Sequence, residues 1–578
     1  MRNEACLRRQ GWRLMGALLV GPLAITAVTS ASIGRPAAAP APGSQAASGA
    51  IGNPAFLGED WLDADWLDED WGDDDTREDE KASKETGKWK ADKDLGSLYN
   101  ATKWYGAQDV WGKSVSSGVK LTGRGVDVAV IDTGVAPVPG LNAPGKVVNG
   151  PDLSFESQDA STRHLDGYGH GTHMAGIIAG RDVQVKAGNE NDKANFVGVA
   201  PDARIVNVKV ATADGGADVS QVIAAIDWVV QHRKDSGMNI GVINLSYGTH
   251  SAQPYTVDPL AYAVENAWRK GIVVVAAAGN DGAGTALTMP AANPYAIAVG
   301  AVDHVGTDSL KDDATAAFTN PGTADRRADL LAPGKSVVSL RTPGSSSDRG
   351  HPEGLVTGDS ARRFFRGSGT SQATAMVSGA VALLLHQRPT LSPDQVKYLL
   401  KTTADPLRGT DPAQGSGVLD MKGAFEAATP SLTKARQSWP AATGTGTLEA
   451  ARGDSHVVDP LNGAVLTGEV DALGNAWDAR SWRTASAAET AWTGGSWNGR
   501  VWTGADWSGN SWTARSWRSA TWTSRSWSGG DWHARSWRGD TWTSTGWSTL
   551  EVPARSWSQD AWRARSWRDH GWDASNAW

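Results

Sequence analysis

Between residues 95 and 427 two hydrophobic patterns alternate along the chain. Short runs rich in Val, Ile and Ala, at 126–131, 205–210, 241–245 and 272–278, read as strands buried on both faces. Longer runs with apolar positions at helical spacing, at 170–180 and 219–232, read as helices. Short β-branched strands followed by helical stretches predict βαβ units, hence an α/β fold whose mainly parallel sheet is covered on both faces. Elsewhere the pattern changes. Residues 33–50 are Ala, Pro, Gly and Ser and read as a spacer, and after Pro430 the chain turns to Ala, Thr and Gly, with only 465–473 hinting at structure. The expected organisation is a leader at 1–32, a spacer and acidic segment at 33–94, a catalytic-sized domain at 95–428, a linker at 429–475 and a tail at 476–578.

The leader carries Arg2, Arg8, Arg9 and Arg13, then an apolar run over 14–28 broken by Pro22, then small residues. That is the layout of a secretory signal peptide, and the run is short of the ~20 residues a membrane-spanning helix needs. Export is therefore expected, with no integral membrane span in the mature form. The single cysteine, Cys6, precedes the apolar run, so the mature chain has none and depends on a large apolar core. A formal net charge of -8 over 578 residues does not point to nucleic acid as a partner.

Four segments of the α/β region carry candidate chemistry. The strand at 126–131 ends in Asp132-Thr133-Gly134, placing a carboxylate at the sheet edge where ligands bind in open α/β folds; a turn-satisfying Asp is the plainer alternative. Gly169-His170-Gly171-Thr172-His173 opens a helix. A catalytic His170 with a structural His173 is preferred there over a metal pair on one helical face, because no third ligand stands nearby. Gly367-Ser368-Gly369-Thr370-Ser371 runs into an apolar helix at 376–385 and puts the Ser371 hydroxyl on a first helical turn, where amide groups favour negative charge; a helix cap would look the same. The strand at 274–278 delivers Asn280 to the same edge, an amide suited to an oxyanion.

In the chain order Asp132, His170, Asn280, Ser371, these segments resemble the subtilisin-like serine proteases, peptidase family S8. The likeness covers roughly 104–427 and includes Gly198-Val199-Ala200-Pro201, Ile243-Asn244-Leu245-Ser246-Tyr247-Gly248 and Leu331-Ala332-Pro333-Gly334. It implies a three-layer αβα fold and a secreted serine endopeptidase working through an acyl-enzyme. Ser371 would be the nucleophile, His170 the general base, Asp132 its orienting partner, and Asn280 with the Ser371 amide the oxyanion hole. Substrate would lie along Ser246, Tyr247 and Gly248, with Ala277, Ala278 and Gly279 nearby. Around these residues no carboxylate suggests selection for basic side chains, so cleavage after apolar or uncharged residues is expected.

Two departures stand out. Ser371 is followed by Gln372-Ala373-Thr374-Ala375, without the proline common in the family. The loop at 181–196 does not match the segment that often holds calcium: Asp182, Glu190, Asn191 and Asp192 are read as solvated loop charges rather than ligands. No cofactor is required for catalysis, structural calcium is left unassigned, and no residue is named as a metal ligand.

In the tail, tryptophan stands at 477 and 482, at every fifth position from 492 to 547, and at 557, 562, 567, 572 and 578. A period of five fits neither strand nor helix, leaving a stacked solenoid and disorder as alternatives. Exposed indoles with Ser, Thr and Arg suit sugar rings or an anionic cell-wall polymer, so a wall-binding adhesion protein is the competing function. The acidic segment 59–75 shares the spacing at Trp61, Trp66 and Trp71. It is expected to pair with the mildly basic tail as a clasp or removable pro-region, unless both are independent solubilising segments.

Overall fold

The computed structural model describes residues 89–501, apart from 116–117, 158–161, 410, 459–464, 494 and 499. The leader, the acidic tryptophan segment and the repeat beyond 501 lie outside the described residues. The strands are β1 (Asp127–Asp132), β2 (Val147–Asp152), β3 (Arg204–Lys209), β4 (Ile240–Leu245), β5 (Val273–Ala277), β6 (Ile297–Asp303), β7 (Ala314–Thr315) and β8 (Leu330–Pro333). They form one sheet in the order β2-β3-β1-β4-β5-β6-β7, with β8 also on β6, and every pair is parallel except β6 with β7. All six residues of β1 are buried, as a strand covered on both faces requires. From β1 the chain moves first to β2 and β3 on one side, then to β4, β5 and β6 on the other. Asp132 therefore ends the strand at which the winding reverses, the place where such sheets open a crevice.

The helices α1 (His170–Ala179), α2 (Val219–His232), α3 (Pro259–Arg269) and α4 (Thr370–Gln387) complete the three layers. The α4 helix packs on α1 and across β4, β5, β6 and β8, whereas α2 and α3 pack on each other and on β1 and β5. Local chemistry sets the helix starts. Asp218 caps α2 in a reciprocal box with Gln221, and Asp258 caps α3 ahead of Pro259. The α4 helix starts at Thr370, six residues before the apolar run that announces it, and runs for 18 residues without the missing proline.

The C-terminal part differs from the linker-and-tail expectation. Within 429–475, helix α5 (Leu448–Arg452) lies on the domain, with Leu448, Ala451 and Arg452 buried and Arg452 paired to Asp218 at 2.5 Å. The first repeat tryptophans, Trp477, Trp482, Trp492 and Trp497, are buried too, so these four present no face to a polysaccharide. Helix α6 (Ala479–Ala487) carries Trp482, and the small antiparallel sheet β9 (Trp492–Thr493), β10 (Ser496–Trp497) and β11 (Arg500–Val501) pairs Trp492 with Trp497. Common to them is an anchor on α2. The indoles of Trp482 and Trp497 donate to Asp227 at 2.8 and 2.9 Å, Ser486 donates to the same carboxylate at 2.5 Å, and Trp492 donates to the Ala224 carbonyl at 2.8 Å. At the other end, residues 89–94 already belong to the folded body: Trp89 donates to Asp94, which also pairs with Arg366 at 2.6 Å.

Burial pushes the Asp227 carboxyl up to about 6, against the lowering by Ser486, Trp497 and Trp482. A carboxyl raised from about 3.8 contributes stability that is complete below pH ~4 and lost as pH rises through ~6, worth at most ~3 kcal/mol. Thermal melts of the wild type against Asp227→Asn between pH 4 and 7 should show the wild type alone losing this increment. Asp227→Ala, which strands two buried indole N–H groups, should cost about 2–3 kcal/mol and open 476–501 to limited proteolysis.

Candidate active site

Asp132 and His170 meet because the first turn of α1 sits directly on the end of β1. A Cβ on Gly171 would stand 2.1 Å from the Gly134 carbonyl oxygen and 3.2 Å from Asp132 Oδ1, so only glycine permits the approach. Asp132 Oδ1 accepts from the Thr133 amide and faces His170 Nδ1, each at 2.8 Å, with both side chains almost wholly buried. That contact assigns the proton to Nδ1 and turns Nε2 away from the carboxylate.

A second carboxylate fastens this junction. Asp166, fully buried, accepts from the amides of Gly169 and Thr172 at 2.6 and 2.7 Å and from Thr133 Oγ1 at 2.8 Å; Thr133 Oγ1 in turn accepts from the Gly171 amide at 2.9 Å. Burial pushes its carboxyl up, and the hydrogen bonds from Thr172, Gly169 and Thr133 oppose that. Neither Asp166 nor Thr133 stood out in the sequence, although an acid placed to cap a helix opening with Gly-His-Gly is a readable signal. His173 lies one turn further on, held down to about 3 by burial and then by the charge of His170. It therefore stays neutral, and among the described residues no three His, Cys, Asp or Glu side chains gather to hold a metal.

Ser371 lies in the first turn of α4 and is fully buried; its hydroxyl has no hydrogen-bond partner among the described residues. Its carbonyl accepts from Ser246 Oγ at 3.3 Å, which brings it to the end of β4, the neighbour of β1. Thr370 ties the same turn to Asn280: its amide and Oγ1 both donate to Asn280 Oδ1 at 2.9 Å. This fixes the orientation of the amide and leaves Asn280 Nδ2 buried and, among the described residues, unpartnered, a donor in search of an acceptor. Asn320 fastens the loop from behind, and Gly279, at φ 114°, leaves room for it: a Cβ there would stand 2.3 Å from Asn320 Nδ2.

The other expected contact residues divide. Ser246, Tyr247 and Gly248 follow β4 at this edge, but the Tyr247 side chain is buried, its hydroxyl pushed well up by burial and then by Asp218. Ala277 ends β5, and the Ala278 amide and carbonyl are engaged by Val299 and Thr288, so both lie behind the Gly279-Asn280 turn. A carboxylate does stand beside that turn. Asp281 accepts from Asn320 at 2.7 Å and pairs with His250 at 3.0 Å, which keeps its charge compensated.

The loop at 181–196 corrects one expectation. Asp182 and Glu190 are buried rather than solvated, because arginines meet them: Arg363 on Asp182 at 2.5 and 3.0 Å, and Arg181 on Glu190 at 3.4 Å. With the Phe196 amide also on Asp182, the donor set of this loop does not fit a calcium ion. Asn191 is exposed, and Asp192 caps a turn through the amide of Ala194.

A family model described as the subtilase family, Peptidase_S8, matches residues 123–424. The chain belongs to the subtilase family. It is 35% identical over 316 residues to the serine protease AprX of Bacillus subtilis (strain 168), covering 53% of this chain and 68% of AprX. Against subtilisin Savinase of Lederbergia lenta it is 36% identical over 304 residues, 53% of this chain and 92% of that relative. Fervidolysin from Fervidobacterium pennivorans, a solved structure, aligns over 58% of this chain and 48% of its own at 27% identity and a TM-score of 0.45. This subtilase is a serine-type endopeptidase acting on protein or peptide substrates. Among its described residues no helix is long and apolar enough to cross a membrane.

Asp166→Ala removes three bonds that hold α1 on β1. The variant is expected to lose about 2–3 kcal/mol in a urea melt and to drop in kcat by at least tenfold with KM little changed; unchanged kcat would show that Asp166 does not position His170.

Proposed function

We propose that this subtilase cleaves peptide bonds with Ser371 as nucleophile, His170 as general base and Asp132 as the group that orients and charge-stabilises the histidine. The observation that carries it is the buried His170–Asp132 contact at 2.8 Å, set at the same sheet edge as a Ser371 hydroxyl and an Asn280 amide nitrogen that have no partner among the described residues. Ser371 Oγ attacks the substrate carbonyl carbon while His170 Nε2 takes its proton. The imidazolium is stabilised by Asp132, which keeps its negative charge. The carbonyl oxygen becomes an oxyanion between Asn280 Nδ2 and the Ser371 amide. On collapse the C–N bond breaks, His170 returns the proton to the leaving amine, and an acyl-enzyme remains; water then repeats the sequence and frees Ser371.

Export of the mature enzyme belongs to the same reading and is supported by the basic and apolar layout of residues 1–32. The pairing of His250 with Asp281 supports cleavage after uncharged residues, because the carboxylate beside Asn280 is already neutralised.

Ser371→Ala should abolish hydrolysis of an uncharged peptide substrate and labelling by a serine-directed phosphonate while leaving the melt unchanged; hydrolysis that persists refutes the assignment. Asn280→Ala should lower kcat by about 10²–10³, or roughly 2.7–4 kcal/mol, a magnitude that comes from a subtilisin relative rather than from this chain. Single-turnover kinetics separates that loss from binding.

A further inference from the structure

Beyond Gly248 the chain turns into a loop, 249–253, that is bound to the molecule's own C-terminal segment. The main-chain N–H and C=O of Thr249 are both consumed by Met289, at 3.0 and 2.9 Å. Its hydroxyl donates to the Ala451 carbonyl at 2.7 Å, and the Ala252 amide donates to the Ala450 carbonyl at 2.8 Å. His250 bridges Asp454 at 3.2 Å and Asp281 at 3.0 Å. The same segment reaches the opposite loop: Arg452, fully buried, pairs with Asp218, and Val457 stands 3.7 Å from the Cβ position of Gly216. A Cβ on Gly453 would come within 2.1 Å of the His250 carbonyl oxygen, so the two segments touch without a gap. All of these segment residues lie beyond the 123–424 match, so this contact is an addition to the family domain.

A substrate strand recognised through main-chain bonds needs free N–H and C=O groups on the edge it pairs with. Along this edge such groups end at Gly248, because the next stretch is covered: the Ala252 amide donates to the Ala450 carbonyl, Gly453 lies against the His250 carbonyl oxygen, and the space beyond is filled by α5 and the residues after it. We propose that residues 447–457 form the end wall of the substrate cleft, so that the enzyme recognises only three residues on the acyl side of the scissile bond. This rests on the catalytic reading above. A longer polypeptide is still cleaved, since its upstream part turns outward past His250 and Asp454, whose side chains are 49% and 64% exposed, and gains no further contacts.

The test is a series of fluorogenic peptides carrying one to six residues on the acyl side of a constant uncharged cleavage residue, assayed with the full chain. The expected kcat/KM rises up to the third residue and changes less than twofold from the fourth to the sixth. In Arg452→Ala, which frees the wall from Asp218, and in His250→Ala, which frees it from Asp281, the fourth and fifth residues should each add tenfold or more. A wild-type rate that is abolished by Ser371→Ala but climbs tenfold at the fourth residue overturns the wall alone. A series with no cleavage, or with cleavage that survives Ser371→Ala, overturns the catalytic reading and the wall with it. The wild-type profile decides the matter even if Arg452→Ala fails to fold.

Discussion

The contact between the Asp132 carboxylate and His170 Nδ1 is the constraint around which the edge of the sheet is built. A carboxylate removed from water is costly unless hydrogen-bonded, and this one takes the Thr133 amide as well as the imidazole. Bringing the imidazole there demands that α1 abut β1, which demands glycine at 171 and a fastening of the helix start, supplied by Asp166. The serine side is held from another direction. Thr370 uses both its donors on Asn280 Oδ1, so the helix that carries Ser371 and the loop that carries the amide are aligned by one side chain. Two separately fastened halves then meet at the end of the central strands.

Arginines, fully buried at 452 and half-buried at 363 and 366, join peripheral segments to buried carboxylates. Arg366 binds Asp94 and so draws in the N-terminal approach; Arg363 binds Asp182 in the loop after α1; Arg452 binds Asp218 at the start of α2. Buried ion pairs add little net stability against apolar replacements, but an unpaired partner is heavily penalised. Their effect is therefore on arrangement: each segment has one place in which its charge is satisfied. A planar guanidinium suits this task, because its fork meets both oxygens of a carboxylate.

Much of the domain was legible because its signals are local. The run at 126–131 lies within one residue of β1 at 127–132, the apolar period at 219–232 coincides with α2, and Asp132, Asn280 and Ser371 were each readable as the residue that ends or follows a buried strand or opens a helix. What escaped was non-local. Asp166 and Thr370 are ordinary polar residues until the backbone groups they bind are brought to them. Arg452 lies in a stretch poor in large apolar residues that reads as a linker, and its partner is 234 positions away. The docking of the first tryptophans was hidden for a related reason: Trp482 sits in a helix and Trp497 in a strand, and what they share is an acceptor on α2 that no periodicity displays.

The docking of Trp477, Trp482, Trp492 and Trp497 moves the practical end of the enzyme. Cutting the chain at the family boundary near 424 would uncover the outer surfaces of α2 and α3, strip Asp227 of its Trp482, Ser486 and Trp497 donors and take Arg452 from Asp218. A shortened protein intended for expression or crystallisation has to retain the sequence through 501, where the docked helix and small sheet end.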